Sequence, residues 1–332
     1  MPIVQINTES MLHKPAPYVD LLREAGFEVR YPRNPQLGRG GCDEQTVIEE
    51  LQDVSATIAT AERYTQHVIA SLPQLRVIAR SGVGYDQVDV EAATEHRVAV
   101  TITPTGNHEA VAELALALLF AVAKRIRPGD IAVHQGEWPR TILTPIRTKT
   151  LGILGLGRIG RSIAVRAISL GMNVIAYEMY PDQNFVAQHE VELVDFDSLL
   201  SRSDFITIHA PLTEETRGLL NKNAFGKMKE GAALINTARG GIVVESDLHE
   251  ALTSGHLSAA GLDVFQQEPP SLDNPLLALD CVVTTPHIAG SDEISLEKVG
   301  IEAAECIVKL HRGQWPEGAV VNNELKAGWK WA

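Results

Sequence analysis

The chain has 332 residues, 45% hydrophobic and 21% charged, an ordinary globular composition that is long enough for two domains with separate cores. The formal net charge of −13 argues against nucleic acid or an anionic membrane as a partner, because both require a basic face. The three cysteines lie far apart and form no CxxC pair, so we expect no metal site, no disulfide framework and a location in the reducing cytoplasm.

The N-terminus and the most apolar stretch argue against export or membrane insertion. The first ten residues, MPIVQINTES, contain no basic group leading into an apolar run, so they do not resemble a signal peptide. The longest apolar stretch, Ala110–Ala123, is interrupted by Glu113 and is shorter than the roughly 18 apolar residues of a membrane span. We therefore predict a buried or interface helix here.

Short β-branched runs alternate with helical patterns in two series. The predicted strands of the first series are Ile3–Asn7, Phe27–Tyr31, Ala56–Ala61, Arg76–Arg80 and Val98–Ile102. Those of the second are Thr150–Leu154, Asn173–Tyr177, Phe205–Ile208, Ala232–Asn236, Ala259–Leu262 and Val282–Thr285. The long predicted helices are Asn107–Lys124, Arg161–Leu170 and Asp292–Arg312. Near-continuous apolar strands separated by helices predict an α/β fold with two doubly wound parallel-sheet domains.

A glycine-rich motif follows the first strand of the second series. Thr150–Leu154 leads into Gly155-Leu156-Gly157-Arg158-Ile159-Gly160 and then a helical stretch. In a dinucleotide site one glycine makes the tight turn, one admits the pyrophosphate and one lets helix and strand pack closely. The pyrophosphate then binds the free N–H groups at the helix N-terminus. A strand before and a helix after favour this interpretation over a plain glycine turn.

Glu178 extends the same interpretation. It ends the next strand, about 20 residues after the glycine motif, where a carboxylate accepts hydrogen bonds from the adenosine ribose and repels a 2′-phosphate. No Arg or Lys follows within residues 179–182, so NAD is favoured over NADP. The alternative is a solvated residue at a strand end.

Three later segments place polar residues at the carboxyl ends of predicted strands, where open α/β sheets bind ligands. They are residues 236–241, 261–268 and 285–290. His287 suits proton transfer to or from a substrate oxygen, Glu268 would fix its tautomer, and Arg239 suits a substrate carboxylate. Taken singly, Arg239 could be a surface arginine and Glu268, followed by two prolines, a turn residue.

At this point the sequence resembles the D-2-hydroxyacid dehydrogenase family over nearly its whole length. The motifs that carry the resemblance are RSGVGYDQVD (80–89), NHEAVAE (107–113), GLGRIG (155–160), HAPLTEETRGLL (209–220), NTARGG (236–241), GLDVFQQEP (261–269) and PHIAG (286–290). The resemblance implies a Rossmann nucleotide-binding domain, residues 104–288, inserted into a flavodoxin-like substrate domain made of residues 1–103 and 289–332. It also implies a homodimer built on the helix that begins near Asn107.

The same resemblance implies roles for individual residues. His287 would be the acid/base, Glu268 its partner and Arg239 the substrate-anchoring cation, while backbone N–H groups of Ser81, Gly82, Val83 and Gly84 would hold the substrate carboxylate. Asp263 and the Ala238 carbonyl would orient the nicotinamide amide. Further residues expected beside the NAD are His209, Ala210, Pro211, Thr216, Thr237 and His287, with His209 shaping its loop.

Two departures from the family pattern bear on affinity and substrate. Glu178 replaces a commoner Asp. Ala59 stands where phosphoglycerate dehydrogenases usually carry a phosphate-binding arginine; Glu62 would repel a phosphate, and Arg63 would point elsewhere. We therefore expect a glyoxylate- or hydroxypyruvate-type acid, with D-3-phosphoglycerate as the alternative.

Other functions on the same fold remain to be weighed. A non-enzymatic NAD-binding regulator would bind the cofactor without turnover, since fold alone does not establish activity. Formate dehydrogenases carry Gln in place of Glu268, and an adenosylhomocysteine hydrolase would need a longer chain. The tail, residues 328–332, contains two tryptophans, and we expect it to dock on a partner subunit or near the mouth of the active site.

Overall fold

The computed structural model describes residues 1–331, which form two compact units. The first unit contains residues 1–107 and the described residues from 290 onward, and the second contains residues 108–289. Each unit is built on one parallel sheet, of five strands in the first and seven in the second. The predicted α/β fold with two parallel-sheet domains is confirmed.

The first unit has its strands in the flavodoxin-like order β2-β1-β3-β4-β5. These strands are β1 (Ile3–Ile6), β2 (Glu28–Arg30), β3 (Ala56–Ala59), β4 (Val77–Arg80) and β5 (Ala99–Thr101). Its helices are α1 (Pro17–Glu24), α2 (Glu44–Leu51), α3 (Gln66–Ala70), α4 (Val90–Glu95) and, from the C-terminal segment, α12 (Glu293–His311). The central strands β3 and β4 are buried along their whole length, as expected for a sheet covered on both faces.

The two faces of this sheet carry separate apolar cores. Helices α1 and α12 supply one core together with side chains such as Ile6 and Ile58, and α2, α3 and α4 supply the other with Leu51 and Ile78. Helices α1 and α12 approach closely at Gly300, because a Cβ there would lie 2.3 Å from Cδ1 of Tyr18. The C-terminal helix is therefore fitted tightly to the N-terminal part of the chain.

The C-terminal tail packs within its own unit. The Trp331 ring lies 5.6 Å from the Phe27 ring, and the Trp329 indole N–H donates to the carbonyl of Arg97 at 2.9 Å. These contacts hold the two tryptophans against the first unit, and docking of the tail on a partner or near the active-site mouth, which the sequence suggested, stays a prediction. Ala332 lies outside the described residues.

The second unit has the strand order β12-β11-β10-β9-β6-β7-β8. Its strands are β6 (Thr150–Leu154), β7 (Asn173–Tyr177), β8 (Glu192–Leu193), β9 (Phe205–Ile208), β10 (Ala232–Asn236), β11 (Leu257–Leu262) and β12 (Val282–Thr284). This is the Rossmann order, which reverses between β6 and β9 and so opens a crevice beyond the glycine motif. Sequence reasoning missed β8, because a two-residue edge strand has no apolar run to reveal it.

The helices of the second unit also cover both faces of its sheet. They are α5 (His108–Ala123), α6 (Ile126–His134), α7 (Arg158–Ser169), α8 (Gln183–His189), α9 (Phe196–Arg202), α10 (Lys222–Lys227) and α11 (Glu245–Thr253). The apolar helix α5 packs on α7 and on β10 and β11, so it is a buried helix of this unit, as predicted. Within residues 1–331, no helix is long and apolar enough to cross a membrane.

The close contact at Gly300 leads to a prediction about stability. Gly300→Ala should lower the free energy of unfolding by about 1–3 kcal/mol, because the added methyl group overlaps the Tyr18 ring. The matched control is Gly226→Ala in α10, where nothing lies within 4 Å of the new Cβ and helix propensity should raise stability by up to about 1 kcal/mol. Denaturant unfolding measures both, and equal effects would contradict the packing argument.

Candidate active site

The three glycines of residues 155–160 have different surroundings. Gly155 has φ of +96°, and a Cβ there would lie 2.7 Å from the backbone nitrogen of Ala210. A Cβ at Gly160 would lie 2.2 Å from the Gly155 carbonyl oxygen. A Cβ at Gly157 would meet nothing within 4 Å. The outer two glycines therefore permit tight packing, while the middle one leaves open space beside the backbone.

Helix α7 begins at Arg158, with Gly157 as its N-cap and no side-chain cap. Arg158, Ile159 and Gly160 thus form its first turn, three residues earlier than the predicted start. The first N–H groups of a helix have no partner within the helix, and the helix dipole favours an anion there. The open space at Gly157 and these N–H groups together suit a phosphate group.

Glu178 is bound to the glycine loop rather than freely solvated. Its Oε2 accepts the backbone N–H of Leu156 at 2.7 Å, and its Oε1 accepts that of Tyr180 at 2.9 Å. A carboxylate offers about four lone-pair sites, so each oxygen can still accept a ligand hydroxyl. The structure therefore holds this carboxylate at the end of β7, beside the glycine motif.

The segment after β9 closes the other side of this loop. His209 and Ala210 are the residues that a Cβ at Gly155 would strike. Downstream, the Thr216 hydroxyl donates to the Pro211 carbonyl at 2.6 Å and accepts the N–H of Thr213 at 2.8 Å. Thr216 therefore fixes the turn that contains Pro211. The sequence led us to expect such a loop-shaping role for His209.

Two buried polar atoms at neighbouring strand ends lack a hydrogen-bond partner within residues 1–331. They are Nδ1 of His209, after β9, and Oγ1 of Thr237, after β10. The other ring nitrogen of His209 lies 2.7 Å from Oγ1 of Thr207, and burial lowers the pKa of His209 to about 3, so the ring is neutral. Since buried polar groups are normally paired, these two atoms indicate a place for a polar ligand or water.

Arg239 lies in a turn that is fixed from within. The Asn236 side chain donates to the Arg239 carbonyl at 2.9 Å and accepts the Ala238 N–H at 3.0 Å. Gly240 lies in close contact with the segment that follows β11, because a Cβ at Gly240 would lie 1.9 Å from the carbonyl carbon of Phe265. Sequence reasoning placed Asn236 in a motif at the end of β10 but gave it no role of its own.

His287 and Glu268 form a close pair. Nδ1 of His287 lies 2.6 Å from Oε2 of Glu268, whose Oε1 accepts the Phe265 N–H at 3.0 Å. Burial raises the pKa of Glu268, but the hydrogen bond and charge of His287, the Phe265 N–H and the charge of Arg239 together bring it below its usual value. The ionised Glu268 thus accepts from Nδ1 and leaves Nε2 to react. The His287 side chain is 47% exposed, so a ligand can reach it.

The backbone of His287 is held in an unusual conformation by Asp263. His287 has φ of +52°, which is rare for a residue other than glycine. The Asp263 carboxylate accepts the Thr285 hydroxyl at 2.5 Å and the N–H groups of Ile288 and Ala289 at 3.0 and 2.9 Å, and its carbonyl accepts the His287 N–H at 2.9 Å. Asp263 is only 1% exposed. The resemblance suggested contact with nicotinamide; the structure adds a role in holding the loop of His287.

The expected carboxylate-binding loop, Ser81–Gly84, belongs to the first unit. The Ser81 N–H donates to the Ala59 carbonyl at 2.8 Å, so this N–H extends the sheet and is not the free donor that the resemblance implied. Gly82 has φ of +156°, and Arg80 donates from Nε to the Gly84 carbonyl at 3.0 Å. Gly82, Val83 and Gly84 therefore remain as candidate donors.

Comparison with known families identifies part of this chain. A sequence model described as the D-isomer specific 2-hydroxyacid dehydrogenase, NAD binding domain, matches residues 116–289. That range covers all seven strands of the second unit and includes His287, Glu268 and Arg239.

Two relatives extend the comparison to the first unit. D-3-phosphoglycerate dehydrogenase from Archaeoglobus fulgidus is 43% identical over 298 residues, which are 89% of this chain and 55% of the relative. Hydroxypyruvate reductase from Thermotoga maritima is 41% identical over 256 residues, 76% of this chain and 83% of the relative. The chain thus spans just over half the length of the first relative and most of the second.

A solved structure supports the same comparison. The crystal structure of D-lactate dehydrogenase from Aquifex aeolicus, complexed with NAD and lactic acid, superposes with a TM-score of 0.82 at 26% identity and covers 96% of this chain and 98% of that one.

The contacts of Asp263 predict a large effect of its replacement. Asp263→Asn should lower the free energy of unfolding by about 2–4 kcal/mol, because its amide group would place a donor against the donors of residues 285–289. The control is Asp197→Asn, an exposed partner of Lys227, which should cost no more than about 1 kcal/mol. Denaturant unfolding of both variants tests this, and similar small losses would argue against a holding role for Asp263.

Proposed function

This chain belongs to the D-isomer specific 2-hydroxyacid dehydrogenase family, and on that premise we propose that it transfers a hydride between NAD(H) and a small 2-oxo or 2-hydroxy acid. The observation that carries the proposal is the 2.6 Å contact between His287 and Glu268, which leaves Nε2 of an exposed imidazole available for proton transfer. An imidazole that is held by a carboxylate at Nδ1 and is exposed at Nε2 suits an acid/base that acts at a hydroxyl-bearing carbon.

The residues of the second unit fit a bound NAD. The open backbone at Gly157 and the N–H groups of Arg158 and Ile159 would hold the pyrophosphate, and Glu178 the adenosine ribose. The unpaired atoms of His209 and Thr237 offer further polar contacts. When bound, NADH supplies the hydride that reduces the 2-oxo carbon.

His287 supplies the proton that balances the hydride. In the direction of reduction, Nε2–H donates to the substrate carbonyl oxygen as the new C–H bond forms at C2, giving the 2-hydroxy acid. Glu268 accepts a hydrogen bond from Nδ1–H of His287, so Nδ1 keeps its proton and Nε2 is the atom that exchanges a proton with the substrate. In the reverse direction, neutral His287 takes the hydroxyl proton.

We retain Arg239 as the cation that binds the substrate, because a guanidinium matches a carboxylate in geometry and stays charged. Gly82, Val83 and Gly84 remain the proposed backbone donors to that carboxylate. We favour an unphosphorylated acid of the glyoxylate or hydroxypyruvate type, with D-3-phosphoglycerate as the second candidate because of the A. fulgidus relative. We also place the reaction in the cytoplasm, given the three free cysteines, and expect no nucleic acid partner.

The first test is the rate of NADH oxidation with glyoxylate, hydroxypyruvate, pyruvate, phosphohydroxypyruvate and a branched 2-oxo acid. His287→Ala should lower kcat by about 10²-fold or more, because the proton donor is lost. Arg239→Ala should mainly raise KM for the acid. NADPH should be a poorer reductant than NADH because of Glu178.

The outcomes separate the alternatives. Wild-type protein that binds NADH but reduces none of these acids would overturn the dehydrogenase proposal and favour an NAD-binding regulator. A preference for phosphohydroxypyruvate would favour the phosphoglycerate alternative. Full activity in His287→Ala would contradict the role given to that residue.

We also propose that two copies of the chain associate through the segment 126–143. It exposes five large apolar side chains, Ile126, Val133, Trp138, Ile142 and Leu143, with Trp138 75% and Ile142 96% exposed. Exposed apolar side chains mark association surfaces, and a second copy is the occupant that the family resemblance implies. The resemblance placed the dimer contact on the helix that begins near Asn107, whereas the apolar side chains of that helix are largely buried within its own unit.

The double variant Trp138→Asp with Ile142→Asp should convert a dimer of about twice 36.1 kDa to a monomer, because burying two carboxylates at the interface is costly. Light scattering during size-exclusion chromatography measures the mass. The control is Leu272→Asp, an equally exposed residue outside the segment, which should leave the mass unchanged. A wild-type monomer would refute the proposal.

A further inference from the structure

Glu62 is a buried carboxylate in the first unit that the proposed reaction does not use. It is 1% exposed, although it lies just beyond the end of β3. Its Oε1 accepts the Asn7 amide at 2.6 Å and the Tyr64 hydroxyl at 3.0 Å, and its Oε2 accepts the Thr60 N–H at 3.0 Å. The sequence suggested an open charge that repels phosphate, whereas the structure shows a carboxylate fully engaged by protein donors.

These donors come from two segments of the sheet edge. Thr60 and Tyr64 lie on either side of Glu62 in the segment after β3, whereas Asn7 follows β1. Since an ionised carboxylate only accepts hydrogen bonds, the Glu62 side chain can hold three donors at once. The Tyr64 ring is fully buried; burial and then the charge of Glu62 hold its pKa well above the usual value, so its hydroxyl remains a donor at neutral pH.

The same edge carries the loop proposed to bind the substrate carboxylate. Next to Asn7, the Thr8 hydroxyl donates to Oγ of Ser81 at 3.1 Å, and Ser81 donates from Oγ and from N to the Ala59 carbonyl at 2.9 and 2.8 Å. Ala59 immediately precedes Thr60. Ser81 is therefore attached to both segments that Glu62 holds.

Both segments are also packed closely against a neighbouring loop. A Cβ at Gly38 would lie 2.1 Å from the Asn7 carbonyl oxygen, and a Cβ at Gly40 would lie 2.8 Å from the Ala61 carbonyl oxygen. The loop of Gly38 and Gly40 thus lies against both segments that Glu62 holds, and Ser81 is hydrogen-bonded to the same two segments.

We propose that Glu62 is a positioning residue for substrate binding: it fixes the strand ends that present the N–H groups of Gly82, Val83 and Gly84 to the carboxylate of the 2-oxo acid. This inference rests on the proposed dehydrogenase function. It predicts that Glu62 acts on binding of the acid and leaves proton transfer by His287 and binding of NADH, which use the second unit, unaffected.

The test is Glu62→Gln, whose amide N–H₂ group must face one of the three donors. We expect KM for the preferred 2-oxo acid to rise about 10-fold, as loss of a hydrogen bond to a charged group would give, with kcat and KM for NADH within about twofold. The pH profile of kcat should not move. A milder variant, Tyr64→Phe, removes one donor without changing shape and should raise the same KM by a smaller factor.

The matched control is Glu50→Gln. Glu50 is also a buried carboxylate of the first unit, 9% exposed, but it binds the N–H and the side chain of Arg33 and neither of the segments that Glu62 holds. It should leave all the kinetic constants unchanged. Equal KM shifts in the Glu62 and Glu50 variants, or parallel losses in kcat and in KM for NADH, would overturn the inference, as would a Tyr64→Phe enzyme with wild-type KM. A wild-type chain inactive on every acid would instead overturn the proposed function itself.

Discussion

In a parallel sheet every strand ends at the same edge. After each strand the chain must turn at this edge, where backbone groups have no partner in the sheet and neighbouring turns lie close together. In both units this edge holds the polar residues assigned to function, and the packing of the turns decides their positions. Gly155, Gly160 and Gly240 allow backbone to pass within distances that any side chain would block. At Gly240 the turn that contains Arg239 lies against the segment that contains Glu268. The geometry of the site therefore depends on glycines, which have no side chain, as much as on the polar side chains.

Three carboxylates organise these turns in the same physical way. Glu178 accepts the N–H of Leu156 in the glycine motif and that of Tyr180 in its own segment, Asp263 holds the loop of His287, and Glu62 joins the segment after β1 to the segment after β3. A carboxylate suits this task because it accepts several hydrogen bonds and donates none. Each lies within three residues of a strand end, where N–H groups left over by the sheet are available. The acidic residues at these three strand ends thus accept hydrogen bonds from backbone N–H groups, in addition to any contact with a ligand.

Much of this arrangement could be predicted from the sequence. The glycine motif and Glu178 follow from patterns along one stretch of chain, and the pair of His287 and Glu268 follows from the residue types at two strand ends together with the family resemblance. The short strand β8 could not be predicted, because it has no periodic signal. The true start of α7 could not be predicted either, because it depends on the extended backbone conformation of Gly157, which makes this residue the N-cap. The engagement of the Ser81 N–H and the burial of Glu62 also escaped prediction, since both depend on contacts between segments far apart in sequence.

The charges around Glu268 are coupled. His287 and Arg239 both lower the pKa of Glu268, the first by a hydrogen bond and charge and the second by charge alone. Arg239 therefore acts on this carboxylate in addition to the substrate contact proposed for it, and its removal would raise the pKa of Glu268. Because His287 and Arg239 share one carboxylate, loss of Arg239 would not be loss of a substrate contact alone.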